Sequence, residues 1–246
     1  FSPRRTLELC VAHEVSWLPG VPTMFIAWAN QDGAPTPSSL RWCMSAGAPL
    51  IDDVRLRAEA RLGAPVRQAY GLTEANLTAI NAPPDEAVAG SSGRPVSGVE
   101  IRVADENDRE LERGAHGEVL VRGPNVMAGY LDDALATAHV MRGGWLHTGD
   151  IGFVDEDGRL SIADRSKDLI LRGGASIYPS EVESVLTHHP SVREAAVVGK
   201  ADDYYGEEVV ALIVLREPIG PEAIERWVRE RLTPYKVPRF YAFVES

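Results

Sequence analysis

The chain has 246 residues, a formal net charge of −11, 44% hydrophobic residues and 25% charged residues. That composition fits one large soluble domain or two modest ones. Acidity on this scale argues against a nucleic-acid-binding face, while leaving room for a local basic patch around a phosphorylated ligand. Neither a signal-peptide pattern nor an apolar run long enough to span a bilayer is visible. Cys10 and Cys43 lack metal-ligand spacing and sit in apolar segments. They read as buried, reduced thiols of a cytoplasmic protein.

Residues 1 to about 80 alternate helix-like and strand-like segments. The clearest helix runs from Asp53 to Leu62, with Val54, Ala58 and Leu62 on one face, Asp52 as a cap and Gly63 as a stop. Pro65 then leads into a short strand reaching Tyr70, an arrangement expected of α/β architecture. From about residue 93 the texture changes to short strands and turns. Val99–Val103, Glu118–Arg122 and Leu160–Ala163 predict a small antiparallel sheet or barrel.

A compact α+β module follows. Ser180-Glu181-Val182-Glu183 has the capping-box pattern, and Val182, Val185, Leu186 and His189 form a helical stripe. Ala195–Val198 and Val209–Leu215 read as buried strands. Pro221 opens a second helix carrying Ile224, Trp227, Val228 and Leu232, and Arg239–Val244 reads as a last strand. His188 and His189 beside Pro190 read as helix-end residues.

Polar residues recur where apolar runs end. Tyr70-Gly71-Leu72-Thr73-Glu74 puts an aromatic ring, a hydroxyl and a carboxylate on one short loop; a tight turn with a helix cap would use the same residues. Ser45-Ala46-Gly47-Ala48-Pro49-Leu50 is a small-residue turn. In Thr148-Gly149-Asp150 the carboxylate has two acceptor oxygens, enough for a pair of vicinal hydroxyls, although Asp after Gly is also an ordinary turn. Asp164-Arg165-Ser166-Lys167-Asp168 is a charged joint, and Gly173-Gly174 suits either a close-approaching ligand or a hairpin.

In this order, these segments resemble the acyl-CoA synthetases of the adenylate-forming enzyme superfamily. His189-Pro190-Ser191-Val192, Glu194–Gly199, Gly206-Glu207-Glu208 and Pro234–Pro238 extend the likeness across nearly the whole chain. The resemblance implies α/β and α+β architecture in three parts. Residues 1–92 would belong to a large α/β domain, 93–165 to its β-barrel subdomain, and 166–246 to a C-terminal α+β domain with a hinge near Lys167.

It also implies ATP or AMP, magnesium and coenzyme A as ligands and a carboxylic acid as substrate; the wording around Val21-Pro22-Thr23-Met24 is compatible with a medium- or long-chain fatty acid, with aryl and short branched acids left open. Tyr70 and Ile162 would pack near adenine, and Gly47, Ala48 and Pro49 would line the adenylate pocket. Thr73 would contact phosphate, Glu74 would help to hold magnesium, and both would be catalytic. Asp150 and Arg165 would hold ribose. Trp145 would lie near the adenylate and pantetheine path, and Gly173 and Gly174 would border the pantetheine tunnel.

Two expected pieces are missing: a phosphate loop ending in Lys-Gly, and a catalytic lysine in a Gly-Lys step. Gly90-Ser91-Ser92-Gly93 matches a different segment, and Lys167, Lys200 and Lys236 are the only lysines. The expectation is that the chain is the latter part of a synthetase and adenylates poorly or not at all alone. An adenylation domain loading a carrier protein, a luciferase-like oxidase and a noncatalytic nucleotide-binding module are the competing readings.

Overall fold

Ser2 caps the first helix, α1 (Pro3–Ala12), by accepting from the Arg5 N–H, and Pro3 occupies a first-turn position that needs no donor. The computed structural model describes residues 1–83 and 87–245. Two β-α-β steps follow α1: β1 (Trp17–Gly20), α2 (Pro22–Ala29), β2 (Trp42–Ser45), α3 (Asp52–Leu62) and β3 (Val66–Leu72). These three strands run parallel. β4 (Asn76–Ile80) and β5 (Arg94–Pro95) then extend the sheet antiparallel, in the order β1-β2-β3-β4-β5.

The helices cover this sheet through Leu7, Phe25, Trp28, Ala58 and Leu62, packed with Cys43 and Val66 of the strands. Each large side chain fully buried there contributes about 1.5–3 kcal/mol. Asp52 is not the cap of α3. Ile51 occupies the cap position without a side-chain hydrogen bond, and Asp52 instead pairs with Arg55 at 2.7 Å inside the first turn. Gly63 ends the helix at φ 70° as its sequence predicts, donating to the Glu59 carbonyl.

Both cysteines are free and buried. Burial pushes the Cys43 thiol up to about 12, with Cys10 and Glu59 adding to the shift, and burial also raises Cys10. Thiol reagents at pH 8 are therefore expected to leave both residues unlabelled in the folded chain and to label both after denaturation. Rapid stoichiometric labelling of the native chain would contradict this. A thiol kept neutral by folding also makes stability fall as pH rises above the unfolded thiol range, about 8.5.

A second sheet comprises β6 (Glu100–Ala104), β7 (Gly117–Arg122), β8 (Met141–Arg142), β9 (Trp145–Val154) and β10 (Leu160–Arg165). Its order is β10-β9-β7-β6, with β8 beside β9, and a short helix α4 (Ala134–Val140) precedes β8. This half-barrel occupies the region where barrel texture is expected. Gly93 joins it to the preceding loop: the Leu160 N–H donates to the Gly93 carbonyl at 2.8 Å, and the Ser92 N–H donates to Leu160 at 2.7 Å. Gly93 has φ 85°, and a Cβ there would lie 2.1 Å from the Ile80 carbonyl carbon. Its glycine is a packing requirement.

The chain divides into two compact units, Phe1–Thr148 with Gly152–Ile162, and Gly149–Ile151 with the chain from Ala163 onward. The second unit contains β11 (Ile170–Arg172), β12 (Ala175–Ile177), α5 (Pro179–Thr187), β13 (Val192–Asp202), β14 (Gly206–Leu215), α6 (Pro221–Arg229) and β15 (Phe240–Phe243). Its sheet runs β12-β11-β14-β13, with β15 parallel to β14. Val182, Leu186, Ile224 and Val228 carry α5 and α6 onto it. The Trp227 indole donates to the Val185 carbonyl at 2.8 Å, and His189, just beyond α5, meets the Trp227 ring edge-on.

Two local expectations change here. The capping box is not formed: Tyr178 holds the cap position, and the Ser180 N–H donates to the Asp164 carboxylate at 3.0 Å. A carboxylate distant in sequence thus does the capping. β13 is also less buried than its apolar letters suggest. It pairs with β14 along its length at the end of the sheet, where Val197 is buried but Val198 is 46% exposed. Among the described residues, no helix is long and apolar enough to cross a membrane.

Candidate functional site

Tyr70 lies within β3, not on a loop, and is almost fully buried. It belongs to an apolar cluster with Val99, Val119 and Leu146, against which Ile162 packs. The adjacent residues Thr73, Glu74 and Ala75 make the turn into β4. Gly71 keeps that hairpin tight, because a Cβ would lie 2.2 Å from the Asn76 carbonyl oxygen. Thr73 is exposed and Glu74 is half-buried.

Three residues that sequence reading missed brace this turn. The Tyr130 hydroxyl donates to Glu74 Oε1 at 2.7 Å, and the Met127 N–H donates to the Glu74 carbonyl at 2.7 Å. The Asn125 amide donates to the Ala75 and Leu77 carbonyls at 2.5 and 3.0 Å. Their separation from the turn is about fifty residues, so no local pattern could have signalled the contact.

Gly47, Ala48 and Pro49 form an exposed loop at the carboxyl end of β2. Its flanks are fixed by the Ala46 N–H on Gly20 and the Leu50 N–H on the Gln68 side chain, each at 3.1 Å. Because Ser45 pairs with Gln68 in parallel register, this loop and Tyr70 share one end of the sheet. Ligands of open α/β sheets collect at that end of the strands.

Trp145 is placed elsewhere. Its neighbour Leu146 joins the Tyr70 cluster, whereas Trp145 packs with Ala104 and Leu120. The guanidinium carbons of Arg102 and Arg122 lie 4.5 and 4.4 Å from its ring centroid. This alternation across β9 separates Trp145 from Tyr70.

In the other unit, Asp150 and Arg165 come together, with Nε 3.6 Å from Oδ1. The Asp150 side chain is 13% exposed, so its carboxylate is sheltered yet accessible. Lys167 lies on a short exposed 3₁₀ turn, Ser166–Asp168. Gly173 and Gly174 form the two-residue connection between paired Arg172 and Ala175, with φ values of 59° and 82°. Positive φ at both positions is the hairpin geometry that glycine admits most readily. Among the described residues, no cluster of three or more His, Cys, Asp or Glu is arranged to hold a metal ion.

The sequence profile described as AMP-binding enzyme matches residues 1–131, and that of the AMP-binding enzyme C-terminal domain matches residues 181–246. The chain belongs to the AMP-binding, or adenylate-forming, enzyme family. It is 39% identical over 249 residues to a long-chain-fatty-acid–CoA ligase of Bacillus subtilis, covering 99% of this chain and 44% of that protein. Two solved structures each cover the whole chain. An o-succinylbenzoate coenzyme A synthetase of Bacillus subtilis, in complex with ATP and magnesium, has TM-score 0.89 and 35% identity over 51% of its own length. An amide bond synthetase of Marinactinospora thermotolerans has TM-score 0.92 and 39% identity, also over 51% of its length. The chain thus spans about half the length of the relatives it matches.

Proposed function

We propose that the protein carrying this chain activates a carboxylic acid with ATP, giving acyl-AMP and pyrophosphate, and then transfers the acyl group to coenzyme A with release of AMP. The observation that carries this reading is the junction of an apolar cluster containing Tyr70 and Ile162 with a polar turn bearing Thr73 and Glu74. In this reading Tyr70 and Ile162 bound the adenine slot, and the Gly47–Pro49 loop borders it at the same end of the sheet. Thr73 offers a hydroxyl to phosphate. Asp150 accepts from the ribose hydroxyls, with Arg165 beside it.

A lone carboxylate at Glu74 fits a magnesium ion, which commonly takes one or two protein carboxylates and fills its shell with phosphate oxygens and water. Magnesium so held would neutralise phosphate charge as the acid attacks. Gly173 and Gly174 are read as bordering the pantetheine arm, and Trp145 as a residue near the adenylate and pantetheine path. We read residues 1–92, 93–165 and 166–246 as the three parts of the synthetase architecture. Neither Lys236, paired with Glu181, nor Lys200, stacked on Phe240, stands as the adenylating cation. The 246-residue chain alone is therefore expected to adenylate poorly.

The substrate class is a medium- or long-chain fatty acid, a reading supported by the likeness to the Bacillus subtilis fatty-acid ligase. The test is the protein extended at both ends to the length of its relatives, given ATP, magnesium, coenzyme A and a panel of acids, and followed by mass spectrometry. A thioester formed with fatty acids is the expected product. Acyl-AMP without thioester would sink the coenzyme A step, and failure of every acid to release pyrophosphate would sink the enzyme reading.

Lys167 is the proposed hinge between adenylation and thioester formation, because a few residues at an element end can absorb such a rotation. Lys167→Pro in the extended protein is expected to slow thioester formation about tenfold or more while changing adenylation by less than about threefold. Equal loss in both half-reactions, measured separately by pyrophosphate release and thioester yield, would remove the hinge assignment.

A further inference from the structure

The Glu74 turn is held by a strap that nothing in its local sequence announces. Tyr130 donates to Glu74 Oε1 at 2.7 Å, and among the described residues Oε2 carries no hydrogen bond. The backbone on both sides of the carboxylate is also fixed, through Met127 on the Glu74 carbonyl and Asn125 on those of Ala75 and Leu77. Tyr130 is itself anchored. Its N–H donates to Thr137 Oγ1 at 2.9 Å, the Thr137 hydroxyl donates to the Asp133 carbonyl at 2.8 Å, and Asp133 caps α4 through the Ala136 N–H. Gly129 lets the chain pass close to Thr137, since a Cβ there would lie 2.9 Å from Thr137 Cγ2.

We propose that Tyr130 is a positioning residue for the cation site of the nucleotide: it engages Oε1 of Glu74 so that Oε2 is presented, in one fixed orientation, to the divalent cation accompanying ATP. This rests on the reading of Glu74 as a cation ligand given above. A carboxylate free to rotate must be ordered when the cation binds. One already held by a phenol and a clamped turn is ordered beforehand, and partners of this kind around metal ligands commonly govern affinity 10–100-fold.

The test uses the protein extended to the length of its relatives, with Mn²⁺ as probe and ATP present, read by electron paramagnetic resonance so that binding is scored apart from turnover. Tyr130→Phe retains the ring and removes only the donor. It is expected to weaken Mn²⁺ roughly tenfold. Glu74→Gln should weaken it at least as much, and the double variant should be no weaker than Glu74→Gln alone, because the phenol acts through the carboxylate. Unchanged Mn²⁺ affinity in Tyr130→Phe, with a clear loss in Glu74→Gln, would overturn the positioning role and leave the site reading standing. No loss in either variant would overturn both. Weakened binding accompanied by loss of hydrogen-exchange protection at the Met127 amide would identify Tyr130 as a structural brace and also overturn the proposal.

Discussion

Replacing Glu74 by Gln in the extended protein is expected to lower acid-dependent pyrophosphate release by about 10²–10³-fold, the loss typical when one preorganised electrostatic group is removed from a reacting centre. The substitution is nearly isosteric. It retains an oxygen able to accept from Tyr130 and spares the backbone contacts made by Met127 and Asn125. Stability should therefore change little, and the loss should appear in the chemical step and in the magnesium requirement. Raising magnesium should recover little of the rate, because an amide whose oxygen accepts from Tyr130 turns its NH2 group, a donor and not a ligand, toward the cation. A variant with wild-type turnover at low magnesium would remove Glu74 from the site.

The largest expected effect on stability lies at Glu208. This carboxylate, in β14, is 1% exposed and receives both ends of the Arg172 guanidinium, at 2.7 and 3.1 Å, together with Arg239 at 2.9 Å. Arg172 in turn stacks on Tyr205, so the pair ties β11 to β14 and to the loop between β13 and β14. Removing the acid strands a mostly buried cation. Glu208→Ala is expected to destabilise the chain by about 3 kcal/mol, towards the lower end for broken buried pairs because Arg172 retains some solvent contact. Arg239 is half-exposed, and Arg239→Ala should cost less than about 1 kcal/mol. Denaturant titration checks both; a loss below about 1 kcal/mol for Glu208→Ala would refute the argument.

The same carboxylate gives a signature in pH. Its hydrogen bonds from Arg172, and secondarily from Arg239, hold its carboxyl below the usual range. A group depressed by folding stabilises above its unfolded pKa, about 4.3, and that contribution disappears as pH falls through the lower folded value. The acid limb of the stability curve should therefore flatten in Glu208→Gln.

Apolar spacing carried much of the architecture into view. Val54, Ala58 and Leu62 announced α3, Gly63 announced its end, and Ile224 with Val228 announced α6, because helical period and glycine stops are properties of neighbouring residues. The order of motifs from Ser45 to Pro238 was likewise enough to indicate the family. Local letters misled where two geometries share one pattern. Ser180 looked like a cap, yet it lies inside α5 and its N–H is served by Asp164. Ala195–Val198 looked like a buried strand, yet β13 lies at the end of its sheet and turns Val198 outward.

What the sequence by itself determined was the set of elements and the chemistry available at their ends: helical stripes, alternating strands, obligatory glycines and the acids that follow them. Only the tertiary structure decided which of those groups meet. It put Ile162 into the Tyr70 cluster, placed Trp145 on the other face of the same sheet between two arginines, and brought Tyr130 to Glu74 across 56 positions of chain. Periodicity and capping act over one or two turns of backbone, whereas strand order and register join residues that share no local pattern.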